Sequence, residues 1–175
     1  MSRLSRYAVV IFMVVLLVTP VWVGAQSCDK SIKDQGATNF IVEAGLVKDV
    51  RTGLTWMRCA MGQRWQSETC TLSNERYNLS EAQLAIEQFN SEGGAFGFSD
   101  WRLPTVEELL TLVDSRCEEP ALNMGIFPQA PITAFWSSTA DADYPDGAML
   151  VHFVNGHRYM GNRSVAWAVR LVRDP

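Results

Sequence analysis

The segment Ser99–Leu109, SDWRLPTVEEL, carries the densest fold signal in the sequence. Pro104 disfavours helical geometry at Leu103, so the chain is expected to arrive extended and then turn. Thr105 and Glu108 have the Thr-x-x-Glu spacing of a capping box, which predicts that a helix begins after Thr105. Apolar residues at helical spacing predict the buried face of that helix, namely Val106, Leu109, Leu110 and Val113.

Another helix is predicted upstream of this segment. Ser80 and Gln83 have capping-box spacing, and the pair Gly93-Gly94 supplies a stop signal. The apolar positions of this helix again fall on one face, at Ala82, Ala85, Ile86 and Phe89.

Short strands are predicted on both sides of the helices. Residues 45–57 indicate a hairpin that turns near Gly53, and residues 40–42 could add a short strand. Residues 148–160 indicate a second hairpin, in which Asn155-Gly156 suits a two-residue type I′ turn. A closing strand is predicted over 164–173, with one face formed by Val165, Trp167, Val169 and Leu171. This order predicts a single α+β domain.

The N-terminal residues have the features of an export signal. Arg3 and Arg6 precede the apolar run Ala8–Val18, and Val23-Gly24-Ala25 offers small residues for cleavage before Gln26. A signal peptide is therefore predicted over 1–25, with an uncleaved membrane anchor as the alternative. Residues 26–44 form an N-terminal extension and residues 45–175 the folded domain. The expected location is the periplasm, the cell surface or the medium, without membrane insertion after cleavage.

Four cysteines, Cys28, Cys59, Cys70 and Cys117, follow the predicted cleavage site. An even number in an exported chain favours two disulfides, for which three pairings are possible. We predict that Cys59–Cys70 closes a short loop and that Cys28–Cys117 ties the extension to the middle of the chain. The spacing is unlike that of a zinc site.

Charge and motifs exclude several classes of function. The chain has 15 basic and 19 acidic residues and a net charge of −4, and loss of Arg3 and Arg6 would make it more acidic. This balance argues against nucleic-acid binding and against a polybasic membrane-surface protein. The sequence has neither a nucleophile elbow nor a phosphate-binding glycine loop, so no catalytic residue and no cofactor are predicted.

Two weak metal signals occur late in the sequence. Asp141, Asp143 and Asp146 resemble the start of a calcium loop, but they fail the EF-hand spacing, so a polar connecting loop is favoured over a calcium site. His152 and His157 flank the predicted turn and could lie together across the hairpin. Two histidines without a supporting carboxylate or thiolate make a poor metal site.

Basic and aromatic residues of the last strands indicate a ligand surface. Guanidinium groups match carboxylates and sulfates, so a basic face could bind acidic glycans; the alternative is that the arginines pair with helix acids. That face would comprise His157, Arg158, Arg163, Arg170 and Arg173. Tyr144, Asp146 and Tyr159 complete the hypothetical ligand-binding set. Trp65 could also serve as an apolar platform, whereas Trp136 and Trp167 are expected to fill the core.

An ordered set of short motifs resembles the Lcl C-terminal-like domain family of exported bacterial proteins, named after the C-terminal domain of the Legionella collagen-like adhesin. The motifs are DxxTGLxW from Asp49, RCxxG from Arg58 with Cys70, SDWRLPTxxEL from Ser99, FP from Phe127, FWSST from Phe135 and VRLVR from Val169. Similar sequences also pair an early cysteine with one just after the second helix. The residues expected to have structural roles are Trp101, Arg102, Pro104, Thr105, Glu108, Trp136 and Arg170.

The resemblance implies a C-type-lectin-like fold related to that of formylglycine-generating enzymes. The founding adhesin domain binds host glycosaminoglycans, so we expect an exported lectin-like or adhesin-type module that recognises a glycan or a cell-surface protein. The alternatives are an enzyme-like relative of the formylglycine-generating group and a structural subunit of a cell-envelope assembly. The enzymes use a reactive cysteine pair late in the domain, whereas here no cysteine follows Cys117.

Overall fold

The computed structural model describes residues 26–29, 31 and 39–175, and the predicted signal segment lies outside these residues. The described part contains two helices, α1 (Leu79–Ser91) and α2 (Val106–Leu110). It also contains eleven short strands: β1 (Ser27–Cys28), β2 (Phe40–Glu43), β3 (Leu46–Asp49), β4 (Thr55–Met57), β5 (Arg64–Gln66), β6 (Thr69–Thr71), β7 (Cys117–Glu118), β8 (Ala134–Ala140), β9 (Gly147–His152), β10 (His157–Asn162) and β11 (Val172–Arg173).

These strands form small antiparallel sheets. A four-stranded sheet has the order β11-β4-β3-β2, and a three-stranded sheet has the order β10-β9-β8. The pairs β1-β7 and β5-β6 form two further ribbons. The predicted α+β class is therefore correct in outline, with strands more numerous than helices. Neither helix of the described part is long and apolar enough to cross a membrane.

The first helix begins two residues earlier than its sequence signal predicts. Asn78 is the N-cap: its side chain accepts the N–H of Glu81, and the Glu81 carboxylate accepts the N–H of Asn78. The predicted box of Ser80 and Gln83 is wrong, because Ser80 lies inside the helix. Leu79, Ala82 and Ile86 form the buried face.

The second helix begins as predicted but is short. The Thr105 side chain accepts the N–H of Glu108, and Glu108 accepts the N–H of Thr105, which completes the capping box. Trp101 is buried, and its indole N–H donates to the Phe98 carbonyl at 3.0 Å. Asn90 of α1 bonds both the N–H and the carbonyl of Trp101, so this tryptophan joins the two helical regions.

The sheet β8-β9-β10 divides the core because its alternate residues face opposite sides. Phe135 and Val151 pack with Val106 and Leu109 of α2 in one cluster. Trp136 and Leu150 belong to the other cluster, which also contains the buried face of α1. Trp136 is fully buried, as expected, and its indole N–H donates to the Tyr77 carbonyl at 2.8 Å.

Two predicted strand features are wrong in detail. The second hairpin pairs His152 with His157, so its loop has four residues rather than a two-residue Asn155-Gly156 turn. The predicted closing strand is regular only at Val172–Arg173, and both sides of residues 168–172 are buried. The predicted single apolar face is absent because these residues run between the two core clusters; Val165 lies outside the core and is exposed.

Both predicted disulfides are present. Cys28–Cys117 joins β1 to β7, with a sequence separation of 89 residues. The Cys59–Cys70 disulfide has a sequence separation of 11 residues and anchors the β5-β6 ribbon. The sequence predicts only a loop for this segment. None of the four cysteines is free.

Candidate functional site

A pocket of about 300 Å³ opens on the surface of the sheet β8-β9-β10. Strands β9 and β10 supply most of its wall, and Ala134 of β8 and the segment before β11 supply the rest. Its lining residues are mainly apolar and aromatic: Ala134, Leu150, His152, Tyr159, Met160, Gly161, Asn162, Val165 and Trp167. A concave surface with apolar walls and a few polar groups is typical of a small-ligand site. We call it the aromatic pocket.

Three rings of the aromatic pocket pack edge to face. The His152 ring lies 6.3 Å from the Tyr159 ring and 6.5 Å from the Trp167 ring, measured between centroids. Tyr159 is 44% exposed although it packs in this way, which leaves part of its ring open to a ligand. The packing limits the freedom of these side chains, so a ligand would meet a partly preorganised surface.

Hydrogen bonds orient the polar groups of this pocket. The backbone N–H of Val154 donates to Nδ1 of His152 at 3.3 Å, so a neutral imidazole carries its proton on Nε2. The side-chain amide of Asn155 donates to the Tyr159 hydroxyl at 2.9 Å. The side-chain oxygen of Asn162 accepts the backbone N–H of Ser164, also at 2.9 Å, but strand alternation places this side chain on the same face as Arg158.

Trp167 differs from its expected role as a core residue. It is only half-buried and lines the aromatic pocket, and it joins Tyr77 through a backbone bridge. Its indole N–H is shielded from water and finds no acceptor among the described residues. The indole N–H of Trp56 in the core also has no acceptor among the described residues, so an unpaired indole does not by itself mark a ligand site.

The strand β10 distributes the predicted ligand residues over two faces. His157 and Tyr159 lie on the face that carries the aromatic pocket, whereas Arg158 pairs with Val151 and lies on the opposite face. Arg158 is exposed and Tyr159 lines the pocket, but His157 does not. The structure therefore separates Arg158 from the aromatic residues with which it was grouped.

Arg163 joins the loop before β9 to the end of β10. Its Nε donates to the Gly147 carbonyl at 2.9 Å, and its backbone N–H donates to the Asp146 carbonyl at 3.1 Å. Tyr144 is 58% exposed and lies in the same loop, outside the pocket lining. Arg163 therefore has a structural contact on one side of its guanidinium.

The acidic residues of that loop do not form a metal cluster. The Asp141 carboxylate accepts the backbone N–H groups of Asp143 and Tyr144, at 2.9 and 3.0 Å, and so shapes the turn. Within residues 26–29, 31 and 39–175, no group of three histidine, cysteine or acidic side chains is arranged to hold a metal ion. His152 and His157 are directly paired across the hairpin, as the sequence suggested.

Two of the arginines assigned to a basic face have other roles. Arg170 is fully buried, so it cannot contact a ligand at the surface. Its guanidinium donates to the carbonyls of Met57 and Arg58 and lies 4.6 Å from the Phe127 ring. Burial lowers the pKa of Arg170 to about 9, which still leaves the group charged at neutral pH.

Arg173 forms a fork with the Asp100 carboxylate, at 2.8 and 2.9 Å, and stacks on Phe98 at 4.0 Å. Asp100 lies in the loop before α2. The alternative to a ligand face, in which the arginines pair with acidic residues of a helix, therefore does not hold for Arg173. The predicted platform Trp65 is likewise in use, because the Arg58 guanidinium lies 4.3 Å above its ring. The continuous basic face is therefore not formed.

Sequence patterns missed most of the aromatic pocket. No chemical motif in the sequence includes Met160, Asn162 or Val165. The sequence indicates His152 only as a candidate metal ligand. The predicted two-residue turn at Asn155-Gly156 would pair His152 directly with Tyr159, whereas the observed register pairs His152 with His157 and brings the rings of His152 and Tyr159 together diagonally. The departure of residues 163–167 from strand geometry, which brings Trp167 to the pocket, has no signal in the sequence.

Comparison with known proteins places the chain in a family without identifying its ligand. No curated protein matches the sequence. The family model for the Lcl C-terminal domain matches residues 45–173, which include both helices and the whole aromatic pocket. The match covers most of the chain, and the chain therefore belongs to the Lcl C-terminal domain family.

Proposed function

We propose that this protein is an exported, lectin-like binding module that recognises a glycan through the aromatic pocket. The observation that carries the proposal is the partly exposed Tyr159 ring beside Trp167 in a concave, mainly apolar surface. Aromatic rings offer apolar faces to ligands, while polar groups at their edges supply hydrogen bonds. The predicted signal peptide and the two disulfides support an exported location.

The domain architecture supports the same proposal. Members of this family are expected to have the C-type-lectin-like fold, and short strands with two helices are compatible with it. An enzyme of the formylglycine-generating type is less well supported, because that chemistry needs reactive thiols. All four cysteines are joined in disulfides, so a thiolate would require prior reduction.

A glycan array with paired variants tests the proposal. Tyr159→Ala removes the exposed ring of the pocket, and Tyr144→Ala removes an exposed tyrosine outside it. The wild type and Tyr144→Ala should bind the same glycans, whereas Tyr159→Ala should lose about 10-fold or more in affinity, as expected when a central aromatic contact worth about 2 kcal/mol is removed.

Salt dependence separates this mode from a charged one. Binding through the aromatic pocket should change little between low and high salt, and Arg158→Ala should have no effect because Arg158 lies on the other face. If binding were lost at high salt and also lost in Arg158→Ala, the ligand site would lie on the opposite face of the sheet. If no glycan binds, the proposal is wrong and a protein partner replaces it.

A further inference from the structure

The guanidinium of Arg170 is only partly satisfied by the core around it. Nη1 donates to the carbonyls of Met57 and Arg58, and the group lies 4.6 Å from the centre of the Phe127 ring. Nε and Nη2 are shielded from water and have no hydrogen-bond acceptor among the described residues. The edge of the guanidinium that carries these two nitrogens therefore lies in the core as a set of unpaired, charged donors.

Other arginines of the chain show what this edge of a guanidinium binds. In three of them Nε and Nη2 act together, and the two nitrogens donate to the two oxygens of one aspartate. These pairs are Arg51 with Asp49, Arg116 with Asp114, and Arg173 with Asp100. Such a two-point contact is how a guanidinium commonly holds an anionic group. The unpaired edge of Arg170 is therefore an anion-binding edge by its chemistry.

The charge of Arg170 also lacks a counter-charge. Burial lowers the pKa of Arg170, and no acidic side chain of the described part opposes that effect. Arg58 is buried next to it and donates only to the neutral carbonyls of Ala44, Gly125 and Ile126. Neither guanidinium forms an ion pair within the described residues. Buried charges that are not paired carry a large desolvation cost, which a bound anion would offset.

The surroundings favour a small anion without protons of its own. Trp56, whose buried indole N–H is also unpaired, belongs to the same core cluster as Phe127 and Phe135, the two rings near Arg170. A water molecule would leave the positive charge in place and add two protons that need acceptors. An organic carboxylate would bring carbon atoms into a close-packed core. A halide ion accepts several N–H groups and brings neither.

We propose that the Nε–Nη2 edge of Arg170 binds a chloride ion inside the core. The ion accepts from both nitrogens, as the aspartate carboxylates do at the other arginines, and it neutralises the buried charge. Only the folded chain forms this edge within an enclosed core, so the ion stabilises the folded state. This structural anion site goes beyond the proposed glycan binding and does not depend on it.

Equilibrium unfolding in urea at several chloride concentrations tests the proposal. Gluconate replaces chloride at constant ionic strength, so that the screening of surface charges stays the same. Because the ion binds the folded state, each tenfold rise of chloride above its dissociation constant should raise the folding equilibrium constant about tenfold. An equilibrium constant that is the same at every chloride concentration would overturn the proposal.

A pair of arginine variants assigns the effect to one site. Arg170→Met removes the guanidinium but keeps much of its length, and it should abolish the dependence on chloride. Arg173→Ala is the matched control, since the same edge of Arg173 binds Asp100, and it should keep the full response. If Arg170→Met responded to chloride as the wild type does, the ion would bind elsewhere and the proposal would be wrong.

Bromide locates the ion directly in the wild-type protein, so the test does not depend on whether Arg170→Met folds. Wild-type protein refolded and crystallised in bromide should show an anomalous scattering peak beside Nε and Nη2 of Arg170. A water molecule gives no such peak. Absence of the peak would overturn the proposal, and ordered water or packing alone would then account for the unpaired donors.

Discussion

Arg102 and Glu108 form a two-point contact in which both terminal guanidinium nitrogens donate to the carboxylate at 2.8 Å. The same carboxylate accepts the backbone N–H of Thr105 and so caps α2. Asp174 approaches the other side of Arg102 at 2.6 Å, which joins the chain end to the helix start. This ion pair is consistent with the structural role predicted for Arg102, and it is only partly buried, since the Arg102 side chain is 33% exposed.

Removal of Arg102 should therefore reduce stability more than binding. Arg102→Ala leaves two carboxylates without their shared partner, and we expect the free energy of unfolding to fall by about 2–3 kcal/mol. Arg158→Ala is the matched control, because Arg158 is exposed on β10 and should cost less than about 0.5 kcal/mol. Urea unfolding measures both. Normal unfolding of Arg102→Ala with loss of glycan binding would contradict this assignment.

The contact also makes stability depend on pH. Hydrogen bonding to Arg102 is the largest cause that holds the pKa of Glu108 below the ordinary value of 4.5. Because the folded-state pKa lies below the unfolded one, the stabilisation is complete above pH 4.5 and is lost as the pH falls through the folded-state value. Asp174 shifts in the same direction for the same reason.

Glu108→Gln tests this linkage. It should lower the free energy of unfolding by about 1–3 kcal/mol at pH 7, and the difference from wild type should shrink at pH 3. Glu107→Gln, next to it on the exposed side of the helix, should cost a few tenths of a kcal/mol through the helix dipole alone. A difference that stays constant between the two pH values would show that charge is not involved.

These residues show where sequence reasoning succeeds. The capping box at Thr105 and the two disulfides depend on local spacing and on cysteine number, and both were predictable. The start of α1 was misplaced because Asn78 and Ser80 are both acceptable caps, and burial of Leu79 decides between them. Local signals therefore fix element type better than element boundaries.

The candidate site was harder to predict because it depends on long-range packing. Tyr159, a predicted ligand-binding residue, lines the aromatic pocket, whereas Arg158, predicted with it, lies on the other side of β10 because adjacent strand residues face opposite sides. Arg170 appeared to be a surface charge by composition and is instead enclosed by the core. Whether each of these side chains faces the pocket, the opposite face or the core depends on how the chain packs over long range, which local sequence patterns do not show.

Arg170 should be among the residues most sensitive to truncation. Arg170→Ala would open a cavity against Phe127 and leave the carbonyls of Met57 and Arg58 without their donor, so we expect a loss of at least about 3 kcal/mol. Arg170→Met retains much of the volume and should cost less. Thermal and urea unfolding compare both variants with wild type.

The control for Arg170 is another arginine at the same end of the chain. Arg173→Ala removes an ion pair with the largely exposed Asp100 and should cost about 1 kcal/mol or less. If Arg170→Ala were no more destabilising than Arg173→Ala, the guanidinium of Arg170 would contribute little beyond filling space that the core can close.

Gly161 should control the shape of the aromatic pocket from within β10. A Cβ atom at this position would lie 2.5 Å from Cδ2 of Leu150 and 3.1 Å from the Trp136 ring. Leu150 can change rotamer, but the fully buried Trp136 ring cannot move without disturbing the core around it. We therefore expect Gly161→Ala to cost about 1–3 kcal/mol and to displace the strand that carries Tyr159.

Gly125→Ala is the control, because its nearest neighbour is the Asn123 side chain at 3.2 Å, far from the pocket. Unfolding by urea gives the stability change, and titration with a glycan that binds the wild type on the array gives the effect on the pocket. If Gly161→Ala retains both wild-type stability and wild-type affinity, the floor of the pocket is more adaptable than its close packing indicates.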